Sequence, residues 1–354
     1  MKILHVITSL SIGGAEHLMV GLLPRLRGLG NEVEIAVLNC KRTAFYEQLG
    51  CSGIKIYGFS ETESVYSYKH IARLKNLMKD FDIVHTHNTA CQLFAVLAKT
   101  ARNKLVTTEH STSTRRRRYK ILRYVDRWMY SKYDKIICIS EPAETSLRNY
   151  IGNDYPIITI HNGIDVSRFA NAEKVNLGLP GCKVITMVAG FRYEKDQPTI
   201  IRAMKYLPDN YHLQLVGDGE RRQEIESLIM SLGLQSRIHL LGIRSDVPQI
   251  LKSSDVIVMS SNREGLSLSN VEGMASGNPF VASDVPGLRE VTKDYGVLFP
   301  HGDDKALAKI IINLTTNQAY REEIIKKCRA RAMQYDINVM AANYNNVYKE
   351  LMSE

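Results

Sequence analysis

Short apolar runs alternate with longer segments of helical period along almost the whole chain of 354 residues. The runs are rich in valine and isoleucine, as in Lys2–Thr8, Glu32–Leu38 and Val184–Ala189. Strands of this kind, separated by helical segments, are typical of parallel sheets that helices cover on both faces. The pattern therefore predicts a doubly wound α/β fold.

A turn-rich stretch from residue 161 to 183 interrupts this alternation. It contains Asn162-Gly163 and Leu179-Pro180-Gly181 and shows no long apolar period, which is typical of a connecting segment. A chain of this length is also too long for one simple core. We therefore predict two Rossmann-like domains, residues 1–165 and 166–336, whose parallel sheets face a central cleft.

The last segment of the chain, from residue 337, has the spacing of an amphipathic helix. From periodicity alone, this helix could pack on either domain. Its apolar positions are Val339, Met340, Tyr344, Val347, Tyr348 and Leu351.

With 44% hydrophobic and 23% charged residues, the composition is that of a soluble globular protein. No apolar run approaches the roughly 18 residues of a membrane-spanning helix. The first apolar run is short and broken by His5, so we predict a buried strand there rather than a signal peptide. Six cysteines are scattered without a CxxC pair, which favours reduced thiols in a cytoplasmic compartment.

The net charge of +9 is partly concentrated in one basic run, which contains Arg115, Arg116, Arg117, Arg118 and Lys120. Such a run can be a solvated helix face, or it can bind the headgroups of an anionic membrane. Nucleic acid is not expected as a partner, because no recognition motif is present and few aromatic residues interleave the run.

Polar residues follow the predicted strands of the first domain. Gly13 and Gly14 form a turn whose backbone N–H groups could approach a phosphate at the start of the next helix. The turn lacks the GxGxxG spacing, so we expect no nicotinamide cofactor.

His85 and His87 lie on one face of a strand, and His110 ends another. These histidines could bond to nearby backbone, donate to a sugar hydroxyl or bind a metal, but no acidic ligand is suitably spaced, so we predict no metal site.

In the second domain, Arg192 and Lys195 follow a strand. Both side chains could bind a diphosphate. The planar guanidinium of Arg192 could donate two parallel hydrogen bonds, and the ammonium of Lys195 would act as a compact positive charge. They could also form a solvated turn paired with Glu194 and Asp196.

The segment REGLSLSNVEGMASG, residues 263–277, carries two glutamates, Glu264 and Glu272. If Ser269 is the N-cap of the helix predicted here, Glu272 belongs to a capping box and folds back onto the backbone. If Ser267 is the N-cap, Glu272 lies a turn further in, where its two oxygens could accept hydrogen bonds from a vicinal diol.

These motifs, in this order, resemble the retaining glycosyltransferases of family 4, the glycosyl transferases group 1 with the GT-B fold. The resemblance covers nearly the whole chain, and the pair of glutamates with the Arg/Lys turn is its most specific part. Many family members have arginine at the position of Gly190, while Asn270 and Gly273 replace a commoner apolar residue and an alanine. The matching segments are GGAE (13–16), VHTHN (84–88), TTEH (107–110), HNGID (161–165) with Phe169, FRYEKD (191–196), VGDGE (216–220), LGIRSDV (241–247) and EGLSLSNVEGMASG (264–277).

The resemblance implies that the second domain binds a nucleotide-sugar donor. The first domain, together with a crossover helix at 337–354, would bind the acceptor. Glu264 and His110 would act beside the transferred sugar as the catalytic residues, and Glu272 would hold the ribose hydroxyls. The other donor-binding residues that it implies are Gly13, Gly14, Arg192, Lys195, Gly242, Ile243, Arg244, Gly265, Leu266 and Ser267.

The implied reaction is metal-independent transfer of a sugar, with retention, to a glycan or polyprenyl-linked acceptor in bacterial surface polysaccharide synthesis. We expect a UDP-sugar as donor before GDP-mannose. The implied location is the cytoplasm, with peripheral contact on the inner face of the membrane through the basic run. Two alternatives stay open: a nucleotide-sugar epimerase of the same fold, and a protein that binds nucleotide sugars without turnover.

Overall fold

The computed structural model describes residues 1–11, 13–111, 119, 121–264 and 268–353. The chain forms two compact units. The first unit comprises residues 1–163 with 337–354, and the second comprises residues 164–336.

The first unit is built on a parallel sheet. Its described strands are β1 (Lys2–Ser9), β2 (Glu32–Asn39), β3 (Lys55–Ser60), β4 (Ile83–His87), β5 (Lys104–Glu109), β6 (Lys135–Cys138) and β7 (Ile157–Thr159). Their order in the sheet is β3-β2-β1-β4-β5-β6-β7, with parallel pairing throughout. The order reverses between β1 and β4, and the carboxyl ends of strands at such a switch point are where open α/β sheets bind ligands.

Helices flank this sheet. The described ones are α1 (Gly14–Gly28), α2 (Ala44–Cys51), α3 (Lys69–Met78), α4 (Thr89–Ala98), α5 (Leu122–Tyr130), α6 (Glu141–Ile151) and, at the end of the chain, α15 (Ile337–Ser353). Helix α15 packs on α1 so closely that a Cβ on Gly21 would lie 2.4 Å from Cδ1 of Ile337. Tyr344 and Tyr348 of this last helix are fully buried in the core of the first unit. Val339, which the periodicity placed on the apolar face, is instead 43% exposed.

The second unit repeats the architecture. Its described strands are β8 (Lys183–Val188), β9 (Tyr211–Val216), β10 (Ile238–Gly242), β11 (Val256–Met259), β12 (Phe280–Ser283) and β13 (Val297–Phe299). They form a parallel sheet in the order β10-β9-β8-β11-β12-β13. The switch point lies between β8 and β11. The predicted α/β class with two parallel sheets is therefore confirmed.

The helices of the second unit cover both faces of this sheet. They are α7 (Val166–Ala170), α8 (Gln197–Ala203), α9 (Arg222–Ser231), α10 (Val247–Ser253), α11 (Leu268–Ala275), α12 (Arg289–Thr292), α13 (Asp304–Thr316) and α14 (Gln318–Gln334), with a 3-10 turn at Met204–Tyr206. Among the helices of the described residues, none combines the length and apolar character that a membrane span requires.

The stretch from 161 to 183 is more than a linker. Its short helix α7 buries Val166 and Phe169 in the core of the second unit. Ile164 pairs with Asp336 in an isolated parallel bridge, which fixes the start of the second unit against its end. The sequence did not predict this helix, because its five residues are too few to show an apolar period and turn residues flank them.

Candidate functional site

The carboxyl ends of four neighbouring strands of the first unit, β1, β2, β4 and β5, border a cavity of about 550 Å³. Asn88 follows β4 with a φ of 72°, a left-handed conformation that is uncommon outside glycine. Its Nδ2 donates to Oγ1 of Thr8, 2.9 Å away, so the strained turn is tied to the end of β1. The polar residues lining the cavity include Thr8, Ser9, Ser11, Asn39, Lys41, Asn88, Gln92, Thr108, Glu109, His110 and Ser111.

The glycine turn at the start of α1 has two different halves. A Cβ on Gly13 would lie 2.2 Å from Oε2 of Glu16, whose carboxylate therefore covers this position. A Cβ on Gly14 would meet nothing within 4 Å, so the backbone there is open. The open N-terminus of α1 at Gly14 leaves room for an anion.

Strand β4 is buried on both faces although three of its five residues, His85, Thr86 and His87, are polar. Buried polar groups must find partners, and these do. Nδ1 of His85 lies 2.5 Å from the hydroxyl of Tyr348, and its Nε2 lies 2.8 Å from Oγ1 of Thr108. Nε2 of His87 lies 3.0 Å from Nδ1 of His5, and its Nδ1 lies 2.9 Å from Nε2 of His110.

Burial keeps these histidines neutral. Desolvation lowers the pKa of His5 to about 3 and that of His110 to about 4. It also lowers the pKa values of His85 and His87 well below the usual value, an effect that the neighbouring histidines increase. Removing a ring from water penalises its charged form.

The histidines that come together as conceivable metal ligands are His5, His85 and His87, with nitrogen atoms within 4.8 Å of one another. The sequence had suggested His85, His87 and His110. A metal would have to break existing hydrogen bonds, because both nitrogens of His85 and of His87 are engaged. The geometry therefore favours a hydrogen-bonded cluster over a metal centre.

In the second unit, the ends of β8 and β11 bring opposite charges together. The ammonium group of Lys195 pairs with Oε2 of Glu264, and both side chains are mostly buried. The hydroxyl of Ser261 donates to the same oxygen at 3.3 Å. Lys195 is thus paired with Glu264, whereas Asp196 caps α8 by accepting from the backbone N–H of Thr199 at 3.2 Å.

Arg192 is exposed and lies beside the preceding glycine. Its Nε is 3.6 Å from the position that a Cβ on Gly190 would occupy. The guanidinium side chain thus folds back towards Gly190. Arg221, which the sequence did not indicate, supports this turn by donating to the carbonyl of Lys195 at 3.2 Å.

Two glycines after β9 let the loops that follow β8 and β9 touch through their backbones. A Cβ on Gly217, whose φ is +134°, would lie 2.2 Å from the carbonyl oxygen of Ala189. A Cβ on Gly219 would lie 2.5 Å from the carbonyl oxygen of Phe191. Glycine is required at both positions because no side chain fits.

The end of β10 presents an apolar side chain to solvent. Ile243 is 86% exposed and follows Gly242, which has a φ of +66°. Arg244 forms a two-pronged ion pair with Asp246 at 2.7 and 2.8 Å. An exposed isoleucine beside an anchored arginine can pack against the flat face of a base.

The described range of α11 begins at Leu268, so Ser269 lies inside the helix rather than at its N-cap, which disfavours the capping box. Glu272 lies in the body of the helix and is half-buried. Burial raises the pKa of its carboxyl, and the charge of Arg168 on α7 opposes that effect. Gly273 is glycine because the ring of Phe280 lies 2.7 Å from where a Cβ would stand.

Among the described candidate residues, the structure brings Lys195 into contact with Glu264 and His87 into contact with His110. His110 lines the cavity of the first unit. The predicted residues Gly265, Leu266 and Ser267, and the basic run Arg115, Arg116, Arg117, Arg118 and Lys120, lie outside the described residues.

Two family models match the chain in succession. The model described as Glycosyltransferase Family 4 matches residues 12–168. The model described as Glycosyl transferases group 1 matches residues 170–331. The two matches meet between residues 168 and 170, a few residues after Ile164, where the second unit begins.

Curated proteins and solved structures agree with these matches. The chain is 26% identical to a phosphatidyl-myo-inositol mannosyltransferase of Mycobacterium leprae, over 95% of this chain and 93% of that protein. It is 28% identical to the UDP-Gal:alpha-D-GlcNAc-diphosphoundecaprenol alpha-1,3-galactosyltransferase of Escherichia coli, over 74% and 73% of the two chains. The fold matches the crystal structure of Anabaena HepE in complex with UDP, with a TM-score of 0.82 and 22% identity over 100% of both chains.

Proposed function

Because this chain belongs to the glycosyl transferases group 1, enzymes with the GT-B fold, we propose that it transfers a sugar with retention from a nucleotide-diphosphate sugar to a lipid-linked or glycan hydroxyl. The observation that carries this proposal is the Lys195–Glu264 pair at the switch point of the second sheet. A cation and a carboxylate there match a substrate with a diphosphate next to a sugar.

In the proposed reaction, the acceptor oxygen bonds to the anomeric carbon while the bond from that carbon to the diphosphate breaks. The acceptor proton passes to the leaving phosphate. Negative charge develops on the diphosphate, where Lys195 and Arg192 stabilise it as preorganised cations. The chain supplies these charges itself, so we propose that no metal ion and no cofactor are needed.

The remaining roles are proposals of the same kind. Glu264 and His110 position the transferred sugar and stabilise charge, while Glu272 accepts hydrogen bonds from the ribose diol. Ile243, with Gly242 and Arg244, lies against the base. For the diphosphate and sugar, the resemblance also implies contacts with the backbone of Gly13 and Gly14 and with Gly265, Leu266 and Ser267, the last three of which lie outside the described residues.

For the donor, we propose a UDP-sugar before GDP-mannose. The E. coli relative is named for UDP-Gal, and HepE was solved with UDP. The M. leprae relative is named as a mannosyltransferase, which makes GDP-mannose the second candidate.

For the acceptor, we propose a polyprenyl-linked or other lipid-linked glycan of bacterial surface polysaccharide synthesis. Two relatives are named for phosphatidyl-myo-inositol and for diphosphoundecaprenol acceptors. Such an acceptor lies at a membrane, so we propose a cytoplasmic protein in peripheral contact with the anionic inner face. In the sequence, the basic run from Arg115 to Lys120 supplies the charge for that contact.

The test is a panel of UDP- and GDP-sugars with the purified full-length protein. Thermal shift and slow donor hydrolysis identify the donor, and transfer to a polyprenyl-diphosphate-linked sugar identifies the reaction. A Lys195→Ala variant is the matched negative control. Stabilisation by no nucleotide sugar, or release of isomerised donor without transfer, would contradict the proposal.

A further inference from the structure

Helix α5 carries an outward-facing apolar stripe. Ile121 precedes the helix, and Tyr124, Val125 and Trp128 lie three, four and seven residues further on, so the four side chains share one face. They are 76%, 73%, 41% and 45% exposed, in that order. We call these four residues the α5 stripe. Trp128 is the only tryptophan of the chain.

The α5 stripe is not the face by which the helix packs on the core of the first unit. The opposite face of α5 makes that contact. Met129 and Tyr130 are buried there. The hydroxyl of Tyr130 donates to Oε1 of Glu109 at 2.6 Å. The hydroxyl of Tyr150 donates to Oδ2 of Asp126 at 2.9 Å. The helix is therefore anchored to the first unit with the stripe exposed.

The sequence segment that contains the stripe is strongly basic, although Arg115 to Arg118 and Lys120 lie outside the described residues. Residues 111–133 contain eight Lys and Arg residues and one acidic residue, Asp126. Asp126 is buried on the inner face, where its carboxylate is bonded to Tyr150. Tryptophan and tyrosine prefer the membrane–water interface, and basic residues beside an exposed apolar face are typical of helices that lie on anionic lipid.

We propose that the α5 stripe docks the first unit on an anionic lipid bilayer, with its four side chains among the headgroups and the neighbouring cations over the lipid phosphates. This inference rests on the proposed function only for its biological purpose, the approach to a lipid-linked acceptor. Docking itself can be measured without any sugar transfer.

Trp128 makes a direct test possible, because all tryptophan emission comes from the proposed contact. The full-length protein is titrated with phosphatidylglycerol vesicles and with phosphatidylcholine vesicles. We expect a blue shift, and quenching by brominated acyl chains, with the anionic vesicles alone. Tyr124→Ser combined with Val125→Ser should weaken vesicle binding by about tenfold while keeping the reporter. Met230→Ser, at a residue 65% exposed on α9, is the matched control and should change nothing.

Binding to vesicles without a change in Trp128 emission would overturn the proposal, since the contact would lie elsewhere. A concentration-dependent shift without lipid would overturn it in favour of contact between two copies of the chain. Measuring sugar transfer to a water-soluble acceptor separates the docking proposal from the proposed function. Its absence in the wild type counts against the proposed function, whereas its retention in the double variant is expected when only docking is lost.

A second observation, independent of the first, is a chain of three histidines that leads from the core to the cavity of the first unit. Nδ1 of His5 lies 3.0 Å from Nε2 of His87, and Nδ1 of His87 lies 2.9 Å from Nε2 of His110. At the inner end, Nε2 of His5 is buried and has no hydrogen-bond partner among the described residues. At the outer end, His110 lines the cavity, and Nδ1 is its remaining nitrogen.

Each link in this chain needs one nitrogen with a proton and one without, so the tautomers of the three neutral rings are coupled. In one arrangement, Nε2 of His5 carries a proton buried without an acceptor. In the other arrangement this nitrogen is bare and every Nδ1–H points towards the cavity. An orphaned buried N–H is rarer in folded proteins than an under-satisfied acceptor, which favours the second arrangement.

We infer that His5 and His87 are positioning residues that hold His110 as its Nδ1–H tautomer, with an N–H donor facing the cavity. This inference deepens the role proposed above for His110. The donor suits a sugar hydroxyl or an oxygen that gains negative charge.

NMR of the protein with ¹⁵N-labelled histidine tests the inference in the wild type and requires no turnover. We expect the Nδ1–H tautomer for His5, His87 and His110. His5→Phe should lower the Nδ1–H fraction of His110 and reduce kcat by about tenfold with little change in donor KM. Tyr348→Phe, which removes the hydroxyl bonded to His85 in the same buried layer, is the matched control. An Nε2–H tautomer at His110, or equal losses in both variants, would overturn the inference, while wild-type inactivity would count only against the proposed function.

Discussion

Lys195 and Glu264 meet in an ion pair in which the side chains are 16% and 17% exposed, although 69 residues separate them in sequence. They follow β8 and β11, the strands at which the order of the second sheet reverses. The carboxylate of Glu264 therefore neutralises the cation that we propose for the donor diphosphate. A diphosphate bound there would share Lys195 with Glu264, which would couple the leaving group to the residue that we propose beside the sugar.

Lys195→Ala should weaken binding of the donor nucleotide. A charge-assisted hydrogen bond contributes about 1.5–3 kcal/mol, so the loss of affinity should be about 10- to 100-fold. Calorimetric titration with the nucleoside diphosphate measures it. Lys205→Ala, at an exposed lysine of the same unit, is the matched control and should bind like the wild type. Equal affinities in all three proteins would remove Lys195 from the site.

Glu272 should give donor binding a pH dependence that begins at a higher pH than an exposed glutamate would give. Burial raises the pKa of its carboxyl, so protonation begins at a higher pH than for an exposed glutamate. In the role that we propose, the ionised form accepts hydrogen bonds from both hydroxyls of the diol, so affinity should fall as the pH falls towards this raised pKa. Nucleotide affinity measured between pH 7 and pH 5 should decline in the wild type, whereas Glu272→Gln should bind more weakly and without this decline. Parallel pH profiles in the two proteins would show that Glu272 does not bind the diol.

The strands and the fold class could be predicted because burial on both faces of a parallel sheet leaves long apolar runs in the sequence. The final helix could be predicted from its period, although Val339 was wrongly placed on the buried face. Helix α7 could not, because its five residues lie between turn residues.

At the candidate site, the sequence indicated which strand ends carry polar residues but not which residues touch. The Lys195–Glu264 pair joins two strand ends that are adjacent only in the folded sheet. His5 was visible only as an interruption of the first apolar run, and its contact with His87 depends on the pairing of β1 with β4. At Gly273 the ring of Phe280 fills the space that a methyl group would need, which no local pattern in the sequence reveals.

The buried histidines should make stability fall as the pH falls below about 6.5. Desolvation lowers the pKa of His5 to about 3 in the folded protein, whereas its pKa in the unfolded chain is about 6.5. Between these two pH values the unfolded state therefore binds more protons than the folded state. Each such histidine should reduce the free energy of unfolding by about 2 kcal/mol between pH 7 and pH 5. The loss should level off below the lowered pKa. Denaturant unfolding at pH 7 and at pH 5 tests this prediction. In His5→Phe the free energy of unfolding should fall less between the two pH values, by the contribution of one histidine. An unchanged pH dependence in His5→Phe would show that His5 is not buried as a neutral ring.

Asn270→Leu should stabilise the protein. Asn270 is fully buried in α11, and neither atom of its amide has a hydrogen-bond partner among the described residues. An unsatisfied buried polar group costs about 1–3 kcal/mol, and leucine has a similar size without that cost, so the free energy of unfolding should rise by about 1 kcal/mol. Asn278→Leu is the matched control, because its amide donates to the carbonyl of Leu251 at 2.8 Å and accepts from Arg321 at 3.1 Å, and it should be destabilised. Denaturant unfolding compares both variants with the wild type. If Asn270→Leu instead loses nucleotide affinity and gains no stability, the amide of Asn270 takes part in donor binding.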